Sequence, residues 1–258
     1  LISGLAHIAR KFDIRTALAP QLQIEPAAKQ QLLDTLSKSD SLWQIWSDTY
    51  ASWLLQQSKI AESNDIPLLY IGIDLQPLTI TYPSYFARLS DSIRTHYSGR
   101  ITYAAHWETE YQTILIWQKL DYITVQNGFH LTEKANPSVA TLQSKWQLIK
   151  DTLRQIHQKF DKPILLHRIA YSSLQNAADK PYTISDSFFE RMEALHQRTQ
   201  FNCYEALFQS FWSETWIKGY FFYNWEANYN RAGGDNDTGY SMQRKEAEKV
   251  IEEWFSKE

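Results

Sequence analysis

The sequence predicts an α/β fold of the (β/α)-barrel kind, and three observations carry that prediction. Short, almost continuously apolar runs alternate with longer amphipathic runs along the whole chain. The apolar runs have the length and composition of parallel strands covered on both faces. No linker or low-complexity stretch interrupts the rhythm, so the 258 residues, 43% of them hydrophobic, read as one domain around one core.

The elements follow in order. ISGLAHIARKF at the start reads as the end of a helix. Strands are predicted near IRTALAPQLQI, IPLLYIGIDL, ITYAAHW, LDYITVQNGF, KPILLHRIAY and IKGYFFYNW. Helices are predicted over 42–63, 84–97, 109–119, 138–160, 187–212 and 242–255, from apolar positions recurring at helical spacing. Strand–helix alternation implies parallel strands joined by right-handed crossovers. A closed barrel has eight strands, and about six are found. The expectation is therefore a (β/α)8 barrel whose first two strands are absent from this chain, with a six-stranded open sheet as the competing arrangement. Such a barrel would present open strand edges and an apolar interior, to be completed by upstream residues or covered by a partner.

Composition narrows the function. A net charge of -3 supplies no basic field for nucleic acid. No apolar run approaches the roughly 20 residues that span a bilayer. Cys203 stands alone, so the chain builds no disulfide framework or cysteine zinc cluster. The seven histidines form no close metal-ligand pair, and no metal or cofactor is expected. GGDNDTG has faintly calcium-like acidic spacing but lacks the terminal glutamate, and reads as a turn. Ten tryptophans and 15 tyrosines fit either a ring-rich core or a sugar cleft. Trp43, Trp46, Trp53, Trp146 and Trp254 fall within helices and are read as packing. Trp107 and Trp225 fall at strand ends, where core and cleft are equally open.

The motifs LDYI at 120–123, KPIL at 162–165, WIKGYFFYNW at 216–225 and GGDNDTGYSMQRKEAEKVI at 233–251 resemble glycoside hydrolase family 113, whose members are barrels known for retaining β-mannanase activity. ITYAAHWETEY resembles the family's fifth strand, YIGIDLQ its fourth, and LWQIWSDTYASWL the helix before the fourth. The order and spacing agree from the second helix of the barrel to the eighth. The resemblance implies an acid/base carboxylate ending strand four and a nucleophile ending strand seven, roughly 5–5.5 Å apart. At strand four the family pattern resembles IGTEL, whereas this chain reads IGIDL and carries Asp74. At strand seven the pattern resembles KPILFTEIGYRS, whereas this chain reads KPILLHRIAYSS and carries Arg168 after His167. A guanidinium stays protonated, donates only, and cannot attack an anomeric carbon. Gln126 stands for an Asn or Asp, Gly128 for a tyrosine, and His106 for the Asn before Trp107. Trp225 keeps the tryptophan that floors the sugar subsite.

The resemblance thus implies a glycoside-hydrolase-like pseudoenzyme, a glycan-binding or protein-interaction module with hydrolysis lost. The alternative is an active retaining hydrolase using relocated carboxylates among Asp74, Glu108 and Glu226, although Glu108, Glu110 and Glu226 read as solvent-facing loop acids. Candidate substrate-binding residues are Trp225, Trp107, His106, Gln126, Glu108, Glu226 and His167. Arg168 suits an acidic sugar or another carboxylate, or else an ion pair with Asp74 that closes the mouth. The resemblance also favours an extracytoplasmic, periplasmic or cell-surface location.

Overall fold

The apolar–amphipathic alternation resolves into parallel strands joined by helices in a computed structural model that describes residues 1–22 and 25–257. The chain divides into two compact units, Leu1–Val125 and Gln126–Glu258.

In the first unit, α1 (Ile2–Lys11) leads to β1 (Ala17–Leu18). Then come α2 (Pro26–Ser37), α3 (Asp40–Ser63), β2 (Leu68–Ile73), α4 (Leu78–Thr81), α5 (Pro83–Arg94), β3 (Arg100–Ala105) and α6 (Glu110–Thr113). A 3-10 turn (Ile116–Lys119) precedes β4 (Ile123–Gln126). Each strand pairs in parallel with the next, β1 to β2 to β3 to β4. Leu69, Tyr70 and Ile71 of β2, and Ile101 to Ala105 of β3, are buried on both faces, as their unbroken apolarity requires.

The second unit holds α7 (Val139–Phe160), β5 (Ile164–Ile169), α8 (Phe188–Glu193), α9 (Gln197–Phe211), β6 (Ile217–Phe222) and α10 (Glu246–Phe255). Strands β5 and β6 are parallel. Ser138 caps α7 by accepting the Thr141 N–H, and Asp161 ends it in the left-handed conformation. Trp146 is wholly buried, edge-on to Phe129 and Phe211. The burial of each such ring contributes roughly 1.5–3 kcal/mol. The fold is that of a (β/α) barrel, with six strands and their helices among the described residues.

Several boundaries differ from the sequence expectation. The first strand shrinks to Ala17–Leu18, and the tail of its predicted run, residues 23–24, lies outside the described residues. The α2 helix was not anticipated, although a proline in its first turn is a helix-start signal. The helix expected over 109–119 breaks where Ile114 turns extended. The helix expected over 187–212 is two helices, because His196 leaves helical geometry and its N–H donates to the Ser173 carbonyl (2.7 Å). The last helix begins at Glu246 rather than near 242.

Candidate functional site

Both strands that end at the positions singled out by sequence are bulged. Three steps of β2, from Tyr70 to Ile73, face two of β3, from Thr102 to Ala104. Three steps of β5, from Leu166 to Ile169, face two of β6, from Tyr220 to Phe222. An extra residue re-aims the chain at a strand end. Asp74 and Arg168 follow or occupy these bulges with φ of 51° and 53°. Such left-handed backbone is uncommon in non-glycine residues and collects at functional positions.

In the first unit the end of β2 opens onto a cleft of about 400 Å³, lined by Lys29, Asp74, Gln76, His106, Glu108 and Thr109 among others. Asp74 forms its ion pair with Lys29 of α2 at 2.5 Å, both side chains partly buried. Beside it, burial holds the His106 imidazole below its ordinary value, against the pull of the Asp74 and Glu108 carboxylates. Its Nδ1 accepts the Glu108 N–H (3.3 Å), and its ring stacks on Trp107 at 3.7 Å.

Beneath this cleft lies Glu110, fully buried. Its Oε1 accepts the hydroxyls of Thr79 and Tyr103, both at 2.6 Å, and its Oε2 accepts the His106 N–H at 2.7 Å. The Tyr103 hydroxyl also accepts the Leu75 N–H (2.6 Å), linking the acid to the residue after Asp74. Burial pushes the carboxyl up to about 7 although all three donors favour the anion. The expectation of a solvent-facing Glu110 is therefore wrong: α6 starts at this residue and turns its side chain under the strand ends.

In the second unit the end of β5 carries His167 and Arg168. The Arg168 guanidinium lies over the rings of Tyr182 (5.0 Å) and Tyr223 (5.2 Å). Tyr182 donates its hydroxyl to the Arg168 carbonyl at 2.5 Å. The Arg168 Nε is buried and donates to no acceptor among the described residues. Burial, with the adjacent guanidinium, pushes His167 down to about 4. Gln126 is only 2% exposed. The next residue, Asn127, donates its N–H to the His167 carbonyl and its Nδ2 to the Tyr171 hydroxyl.

The loop after β6 places Trp225 in the open, 56% exposed, so it is not a core residue. Glu226 is also exposed, and its carboxylate accepts from Asn224 (2.7 Å). Gln243 holds both backbone polar groups of Glu226. Farther along, the Asp237 carboxylate is committed to Lys245 (2.6 Å), whose buried Nζ also donates to Ser173 and to the Gly239 carbonyl.

Of the residues anticipated, Asp74, His106 and Glu108 gather at one cleft, with Trp107 stacked against it. His167 and Arg168 share a strand end with the ring of Tyr223. The ion pair of Asp74 is with Lys29, which sequence reasoning missed together with helix α2. Tyr182 and Tyr223 were missed as site-forming groups, with only the tyrosine of KPYT and the aromatic run of β6 hinting at them, and Glu110 was named only as a solvent-facing loop acid.

Residues 2–245 match the family model described as Glycoside Hydrolase Family 113. Among solved structures the chain is similar to a GH113 β-1,4-mannanase complex, with a TM-score of 0.78 and 16% identity over 100% of this chain and 78% of that one. It is also similar to the GH113 β-mannanase of Alicyclobacillus acidocaldarius in complex with ManMIm, with a TM-score of 0.77 and 18% identity over 99% and 77%. A β-glucuronidase from Ruminococcus gnavus gives a TM-score of 0.62 at 10% identity, over 97% of this chain and 42% of that one. These identities speak for a shared fold. No curated protein matches. With a family match spanning nearly its whole length, the chain belongs to Glycoside Hydrolase Family 113.

Proposed function

We propose that this chain binds a β-linked glycan without hydrolysing it. The observation that carries the reading is Arg168: where the family resemblance implies a nucleophile, β5 ends in a guanidinium packed over two tyrosine rings. Retaining hydrolysis needs a nucleophilic carboxylate facing an acid/base, and a guanidinium can be neither. Asp74, at the implied acid/base position, is shorter than glutamate by a methylene and its carboxylate is engaged by the Lys29 ammonium at 2.5 Å, so it reaches a leaving-group oxygen poorly. The exposed Trp225 supports glycan binding, because a free indole face stacks on the C–H face of a sugar ring. Similarity to β-1,4-mannanases makes β-1,4-linked mannose chains the first ligands to try.

One observation favours a second reading, that of a hydrolase with relocated groups: Asp74 and Glu108 line the same cleft, with His106 between them in sequence. Incubation of the protein with β-1,4-mannohexaose distinguishes the two. Binding without product, in the wild type and in Arg168→Gln, is the expected result. Product formation abolished by Asp74→Ala or Glu108→Gln establishes the hydrolase instead. Turnover appearing only in Arg168→Glu identifies the arginine as the change that removed the chemistry.

A further inference from the structure

We infer that Arg168 is the recognition site for a carboxylate on the bound sugar, so that the ligand is a glycan containing hexuronate. The inference rests on the glycan-binding reading above and specifies the ligand.

Arg168 is a half-buried cation with no carboxylate partner among the described residues. Four acids that follow β5 and β6 in the chain are engaged by other partners. Asp179 pairs with His130 (2.9 Å), Glu190 accepts from Ser185 (2.6 Å), Glu226 accepts from Asn224, and Asp237 pairs with Lys245. A guanidinium removed from water and left without an anion is costly, and its usual complement is a planar, bidentate carboxylate or phosphate. The rings of Tyr182 and Tyr223 fix the guanidinium from its sides and supply no anion. Tyr223 is 43% exposed and Trp225 56% exposed, so solvent and ligand reach this strand end. An indole face for the pyranose and a guanidinium fork for a C6 carboxylate make a complete recognition set for a uronate. A neutral hexose leaves the guanidinium as it is now.

Two probes with the same linkage test this: β-1,4-mannohexaose and β-1,4-linked hexamannuronate, which differ only at C6. Titration calorimetry near neutral pH is expected to show the uronate bound about tenfold or more tightly, the range for a charge-assisted hydrogen-bonded pair. The preference falls at high salt, while neutral-sugar affinity does not. Arg168→Gln removes the preference and brings the two oligosaccharides to one affinity. Arg168→Lys keeps part of it, with charge but no fork. Equal affinities in the wild type, or a preference surviving in Arg168→Gln, overturns the carboxylate site while the glycan-binding reading stands. Failure of both oligosaccharides to bind overturns both. Cleavage of the uronate by the wild type overturns the non-hydrolytic reading alone, provided the affinity difference still depends on Arg168.

Discussion

At the scale of single residues, Glu110 shows burial and hydrogen bonding pulling in opposite directions. Three donors support its anion, yet desolvation prevails and holds the carboxyl near 7, from an ordinary value of 4.5. A folded-state value above the unfolded one means the folded protein holds this proton more tightly. The stabilisation is full below about 4.5 and is lost as pH rises through 7, on the order of 3 kcal/mol in all. Urea midpoints measured across this range should show that decline as the difference between wild type and Glu110→Gln. His167 acts with the opposite sign: lowered from 6.5 to about 4, it withdraws stability as pH falls through that window. Tyr103→Phe removes both a donor to Glu110 and the acceptor of the Leu75 N–H, and should cost about 1–3 kcal/mol by chemical denaturation. None of this was legible in the sequence. Glu110 reads as a loop acid because the Thr79 hydroxyl that receives it stands 31 residues earlier.

At the scale of elements, the strands were read well and the segments joining them poorly. PLLYIGI and PILL announce themselves by unbroken apolarity, which burial on two faces explains. The bulges within them leave no mark in composition, since an extra residue in register is a property of two strands together. Helix α2 was overlooked although its proline start was visible, and with it went Lys29, the partner of Asp74. The loop after β6 is held by a different set of contacts. Gly233 has a φ of 51°, and a Cβ there would lie 1.7 Å from the Gln243 carbonyl oxygen. Gly233→Ala should therefore lower stability by more than about 1 kcal/mol, read as a drop in Tm. It should weaken glycan binding too, because Gln243 also fixes the backbone beside Trp225.

At the scale of the whole molecule, the fold was legible because motifs in a fixed order constrain it more than any one motif does. The proposed loss of hydrolysis rests on departures from that order, at Asp74 and Arg168. Cys203 offers a probe of the second unit as a body. It is fully buried, and burial pushes its thiol well above the ordinary range. Reaction with an aromatic disulfide reagent should be negligible in the native protein. Under rising denaturant its rate should follow the unfolding of the second unit, and faster labelling would reveal local opening of α9.

Arg168 adopts a backbone conformation that a long side chain disfavours, and it keeps a buried Nε–H with no acceptor among the described residues. The unmatched Nε–H lowers the stability of the unliganded state in a way that an accepting anion offsets. Ligand saturation should therefore appear as a thermal shift. At a hundredfold excess over Kd the gain is about 2.7 kcal/mol, provided the unfolded chain does not bind. The arginine then makes melting temperature itself an assay, usable on a library of unlabelled acidic sugars before any activity is known.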